Sequence, residues 1–184
     1  NLLAFGMMAI LVLSCQNRRV QRVDPNETID LSGRWNDTDS KMTSSAMIEQ
    51  VLSGPWLINH FEANNNEKPV VIVGLIKNNS HEHIDLERSF ITSHRVSLVQ
   101  SVEKREEVRQ ERSDQQNYSS KSTMKKWGLE MGADYMLQGT LNSTIDQYKK
   151  DKVIEYQIDL ELTNMETNEI VWIGDKKIKK FIKD

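Results

Sequence analysis

The stretch IEYQIDLELT, residues 154–163, alternates without a miss: Ile154, Tyr156, Ile158, Leu160 and Leu162 are apolar, and Glu155, Gln157, Asp159, Glu161 and Thr163 between them are polar. Successive side chains of an extended chain point to opposite faces, so the pattern marks a strand with one face in a core and the other in water. Such a sheet needs a covering layer on its dry face only, which is the plan of a two-layer domain. Downstream, NMETNE (Asn164 to Glu169) reads as a turn and IVWIG (Ile170 to Gly174) as a return strand, before a lysine-rich end from Lys176 to Lys183. Upstream, ADYMLQGTLNST (Ala133 to Thr144) reads as a further strand with Tyr135, Leu137 and Leu141 on one face.

Farther from this hairpin, VVIVGLI (Val70 to Ile76) is apolar without alternation, rich in β-branched residues and preceded by Pro69, as expected of a central strand covered on both faces. KNNS (Lys77 to Ser80) is its turn, and RVSLVQSV (Arg95 to Val102) fits a second strand. Asp37 or Thr38 caps a helix with apolar positions Met42, Ala46, Ile48, Val51 and Leu52, which Gly54 and Pro55 stop. Trp56, Leu57 and Phe61 then mark a short amphipathic turn or helix. Ile84 to Thr92 reads as a short helix. Glu103 to Asn117, where Val108 is the only aliphatic residue, reads as an exposed one. Ser119 or Ser120 caps another helix bearing Met124, Trp127 and Met131, with Gly132 placed for a left-handed C-terminal cap. The expected whole is an α+β, two-layer domain: a four-stranded, mostly antiparallel sheet with helices packed mainly on one face. Trp127 and Trp172 fall in its core, while the position of Trp35 at the domain start assigns it to neither core nor surface.

The 184 residues carry 24 Lys and Arg against 27 Asp and Glu, a net charge of −3, which leaves no general nucleic-acid footprint. A single cysteine, Cys15, excludes an intramolecular disulfide and a cysteine-rich zinc site. It ends an apolar run from Leu2 to Leu13 that is too short for a span needing roughly 20 residues but long enough for a signal-peptide core. Val12, Leu13, Ser14 and Cys15 resemble a bacterial lipobox, in which the cysteine is acylated and becomes the first residue after cleavage. The basic stretch that precedes such a run is missing, so the sequence is expected to begin inside the signal peptide. This divides the chain into a signal peptide (1–14), a lipidated tether (15–36) that is polar and aperiodic, and a globular domain (37–184). Arg18, Arg19 and Arg22 form a local basic cluster beside the lipid site. Gln16, in place of an aspartate after the cysteine, directs a lipoprotein of a Gram-negative cell to the outer membrane by default.

Motifs that carry chemistry are few. The sequence has no Gly-x-Ser-x-Gly, no His-Glu-x-x-His, no P-loop and no Gly-x-Gly-x-x-Gly. His81, Glu82 and His83 put two imidazoles on one face of an extended segment, but a metal would need a third ligand from His60, Asp85 or His94, and the segment reads as a polar loop. No pair of carboxylates has a context that would raise a pKa for acid/base work. The residues therefore point to neither an enzyme nor a metal, cofactor or small-molecule site.

DLSGRWNDTDS (Asp30 to Ser40), GADYMLQGTLNSTID (Gly132 to Asp146) and YQIDLELTNMETNEIVWIGDKKIKK (Tyr156 to Lys180) resemble, in order, the LpoB family of outer-membrane lipoproteins. The resemblance implies a fold similar to the amino-terminal domain of TolB. It also implies a function by protein contact, docking on a small regulatory domain of a bifunctional penicillin-binding protein to favour glycan polymerisation and cross-linking. The alternative is an envelope structural or assembly lipoprotein of the same fold that contacts no synthase. For the docking site, the turn Lys77, Asn78 and Asn79 with Arg88 close behind is the first choice, because loops at strand ends present polar groups on a rigid scaffold.

Overall fold

The computed structural model describes residues 21–24, 27–84, 95–122 and 130–183. The helices expected at Ile84 to Thr92 and around Met124 and Trp127 lie largely outside these residues, as do Cys15, Asp85, Arg88 and His94. The chain runs through α1 (Asp37–Ser53), α2 (Pro55–Ala63), β1 (Val70–Asn78), β2 (Ser97–Val99), α3 (Val102–Tyr118), β3 (Tyr135–Tyr148), β4 (Asp151–Asn164) and β5 (Ile170–Ile182). The five strands form one sheet in the order β2-β1-β3-β4-β5.

The alternating stretch is the fourth strand in the order, and its apolar residues form the middle of the core: Ile158 and Leu141 opposite it are fully buried, and Tyr156, Leu160 and Leu162 nearly so. β3 and β4 pair antiparallel along their whole length, Tyr135 with Asn164 through Tyr148 with Asp151, around a two-residue turn in which Lys149 takes a left-handed conformation. β5 returns antiparallel along β4 with a register shift between Leu162 and Thr163. On the dry face Met47, Trp56 and Leu57 of the two N-terminal helices close over Tyr135, Leu137, Leu160 and Leu162. At Gly139 on β3 a Cβ would run into the backbone carbonyl of Asp159 on β4.

These expectations are met in part. The sheet has five strands rather than four: the stretch read as the second strand is present but reduced to Ser97–Val99, parallel beside Val70–Ile72. It is mostly antiparallel, as expected, through the two long C-terminal ladders, while β1 pairs in parallel with both β2 and β3. β1 is accordingly next to the edge strand, not central. Both its faces are covered only at its start, where Val71 and Ile72 are buried in succession, and past its register shift Leu75 is 70% exposed. The lysine-rich end does not leave the sheet but is β5 itself, since Lys152 to Ile158 offer it a full ladder. Gly132 has no positive φ, so the left-handed cap is not formed.

The first helix starts one residue earlier than expected. Asn36 accepts from the Asp39 amide at 3.0 Å while the Asp39 carboxylate accepts from the Asn36 amide at 2.9 Å, a reciprocal capping box. Pro55 both follows the end of α1 and opens α2, where its missing N–H costs nothing. α3 buries no apolar stripe. It is held instead by Arg105, Arg109 and Arg112, one turn apart, which converge on Glu130 at 3.9, 2.9 and 3.5 Å. This lowers the Glu130 pKa, with the Arg109 hydrogen bond as the largest cause.

Candidate functional site

The turn after β1 is stitched to its surroundings from both sides. The Asn78 amide donates to the carbonyls of Glu82 at 2.8 Å and Ile84 at 3.3 Å, and its oxygen accepts from the Ser80 amide at 2.9 Å and hydroxyl at 2.7 Å. Asn79 donates its backbone N–H to Leu141 at 2.8 Å and its side-chain amide to Asn142 at 3.1 Å. Of the three candidates described here, Asn78 is thus turned inward as the organiser of its own loop, whereas Asn79 and Lys77 are exposed. Lys77 stands on the wet face of the sheet, in an open trough with Leu75, Gln138, Thr140, Asp159, Glu161 and Ile173.

His81 donates its backbone N–H to the Ser143 hydroxyl at 3.2 Å and keeps its ring exposed beside it, at 3.1 Å. Glu82 points the other way, into a polar cluster beneath the N-terminal segment, where one oxygen accepts from the Tyr156 hydroxyl at 2.6 Å and the other from the Trp35 amide at 3.0 Å. His60 is buried against Tyr135, its Nδ1 at 3.0 Å from the Tyr135 hydroxyl. Among the described residues no three of His, Cys, Asp and Glu are placed to hold a metal ion.

The polar cluster was not legible in the sequence. Lys180, on the dry face of β5, donates to Asp39 at 2.6 Å, to Asp30 at 3.0 Å and to the Arg34 carbonyl at 3.1 Å, so all three of its protons are used. Asp39 is 2% exposed, so its charge depends on that lysine. Burial alone would lower the Lys180 pKa, but the hydrogen bonds it donates to Asp39 and Asp30 outweigh it and the pKa is raised. The Lys180 hydrogen bond, helped by Asn36, lowers that of Asp30. Burial first, and the Glu82 hydrogen bond second, push the Tyr156 phenol well above its ordinary range. Trp35 packs edge-on against Tyr156 at 5.3 Å between ring centroids, with its indole N–H on Ser40 at 2.7 Å, which places it half-buried against the core. Trp172 also packs on the core, as expected, and Trp127 lies outside the described residues. The one available signal was the phase of Lys180 on β5, which continues the dry face through Ile178 and Ile182.

The described residues thus form an α+β domain with helices closing one face of its sheet, an open second face, and its buried ionisable groups tied to one another rather than directed at a cleft. The chain belongs to the LpoB family: the profile of the peptidoglycan-synthase activator LpoB matches residues 39–178. This is a family of activators of penicillin-binding proteins. Solved structures similar to the chain include the LpoB C-terminal domain from Salmonella enterica, at 15% identity and a TM-score of 0.40 over 76% of this chain and 98% of that one. The LpoB C-terminal domain from Escherichia coli matches at 15% identity and a TM-score of 0.39 over the same shares, 76% and 98%. Lipoprotein GNA1162 from Neisseria meningitidis matches at 12% identity and a TM-score of 0.37, over 62% of this chain and 84% of that one. Direct comparison with curated proteins gives no match.

Proposed function

We propose that this chain is a lipid-anchored activator of a bifunctional penicillin-binding protein, acting by contact and without turnover of its own. The observation that carries this reading is the family match, which spans α1 to β5 and so covers the layered domain as a unit. Acylation at Cys15 supplies the membrane hold, each buried methylene adding roughly 0.8 kcal/mol, and Gln16 directs the product to the periplasmic face of the outer membrane. No helix among the described residues is long and apolar enough to cross a membrane. The domain takes no cofactor, metal or nucleic acid in this reading, and its layers follow the plan of the TolB amino-terminal domain.

Docking by the end of β1 is part of the proposal: Lys77 and Asn79 are exposed there, on a turn stiffened by Asn78, and Arg88 follows in sequence. The test is capture with tagged full chain from detergent-solubilised envelope, read with a fluorescent penicillin. The expected result is a labelled high-molecular-weight synthase with the wild-type chain and less of it with Lys77→Glu combined with Arg88→Glu. A wild-type chain that captures no penicillin-labelled protein favours the structural or assembly lipoprotein instead. Fractionation checks the anchor: Cys15→Ala is expected in the soluble fraction and the unmodified chain in the outer membrane, and a soluble wild-type chain contradicts it.

A further inference from the structure

β5 is a long edge strand, and its open side is chemically one-sided. Asn164 donates to the Glu169 carbonyl at the hairpin, and from this pair the register along β4 fixes the phase of every later residue. In that phase the backbone groups of Ile173, Asp175, Lys177, Lys179 and Phe181 point away from β4. The Asp175 carbonyl confirms it, because it accepts from the Gln50 side chain at 3.3 Å on the far side from β4. Gln50 closes that end of the edge. Beyond it, from Lys177 to Phe181, no described residue takes up the outward N–H and C=O groups, and Lys177, Lys179 and Phe181 are exposed. The opposite edge, β2, has three residues and offers no comparable ladder.

The segment KKIKKFIK, residues 176–183, holds five lysines and no acid in a chain of net charge −3. Lys180 is consumed in the buried cluster and Lys179 is partly answered by Glu155 at 3.6 Å, and among the described residues no acid pairs with Lys176, Lys177 or Lys183. Charge at an edge discriminates between occupants. A second copy of this chain would set lysines against lysines, the standard protection of an edge against self-pairing. An acidic strand would meet opposite charge at Lys177 and Lys179 and complete the unused backbone bonds.

We propose that the open edge of β5, from Lys177 to Phe181, takes an extended acidic segment of the partner as an added strand. Resting on the activator reading, this adds to the β1 turn a second contact of stated chemistry: backbone pairing supplies adhesion, and the lysines select an acidic strand over a second copy. Phe181, 63% exposed on the wet face, gives the added strand one apolar neighbour.

Proline distinguishes this contact from the fold itself. The N–H of Lys179 makes no bond to β4, so Lys179→Pro removes an outward donor and sets a ring on the edge while sparing the β4 ladder. Titrating full-length protein in detergent against the purified bifunctional penicillin-binding protein is expected to show Lys179→Pro binding about tenfold or more weakly, Lys179→Ala close to wild type, and Lys177→Glu with Lys179→Glu weak and less salt-dependent. Circular dichroism and melting confirm the fold of each, and Phe181→Pro, whose N–H also points outward, stands in if Lys179→Pro unfolds. Wild-type binding with both proline variants folded and undiminished overturns the edge proposal and leaves the activator reading in place. A wild-type chain that binds no synthase overturns the activator reading, and the assignment of the partner with it. Dimerisation of the wild-type chain in sedimentation that Lys179→Pro abolishes also overturns the proposal, because a second copy is then the occupant.

Discussion

Lys180 is the residue on which the N-terminal segment depends. Replacing it with methionine keeps the length of the side chain but strands Asp39, 2% exposed, without its cation. Lys180→Met is therefore expected to cost about 3–5 kcal/mol in urea unfolding, and Asp30→Asn, at an exposed carboxylate, far less. The pH dependence has a definite sign. The Asp30 pKa is lowered in the fold, so its contribution is present above about pH 4, its unfolded range, and is lost as pH falls below that. The Lys180 and Tyr156 pKa values are raised, so their contributions are complete below about pH 10 and are lost as pH rises beyond it. The melting temperature is expected to hold level between these limits and to fall on the alkaline side, with a shallower fall in Tyr156→Phe. An equally steep alkaline fall in that variant would show that the phenol is not the group released. None of this cluster was legible, because a lysine in a lysine-rich stretch reads as solvated until its phase on a strand and an aspartate far away in sequence are both known.

The elements were legible in proportion to how far their pattern depends on water. β4 has one wet face along its whole length, and its alternation named it correctly, down to the buried residues. α1 is located, and Ile48, Val51 and Leu52 pack on the core as expected. Met42, expected to face inward, is 50% exposed, and the buried positions are Asp39, Thr43, Ser44 and Met47, because the capping box and the Asp39–Lys180 pair set the rotation of the helix. α3 was read as exposed, and the structure adds what holds it, three arginines on one carboxylate. Glu130→Gln is accordingly expected to speed amide exchange across 102–118 while leaving the protection of β3 and β4, and the global melting temperature, unchanged. Loss of protection throughout the sheet would instead make Glu130 part of the global fold. The docking turn is a mixed case: its location at a strand end was readable, but not that Asn78 would be occupied in holding it.

In the whole protein, the tie between Asp30 and Lys180 shortens the reach that the lipid proposed at Cys15 leaves to the domain. Asp30 is tied to Lys180, and Gly33 fits against Ile182 where a Cβ would clash, so the chain available between Cys15 and the domain is residues 16–29. That length spans about 46 Å at most, at roughly 3.3 Å per residue, and averages about 20 Å as a coil. Removing about ten of these residues is expected to abolish activation in cells while leaving binding in solution unchanged, since only position relative to the membrane is altered; full activation in cells would mean that reach is not limiting. The most direct test of the central claim is the rate of glycan polymerisation by a purified bifunctional penicillin-binding protein, measured with and without saturating amounts of this chain. The account predicts a several-fold rise with the wild-type chain, the same rise only at about tenfold or higher concentration with Lys179→Pro, and no product from the chain alone. A rate that stays unchanged while the two proteins are demonstrably bound would contradict it.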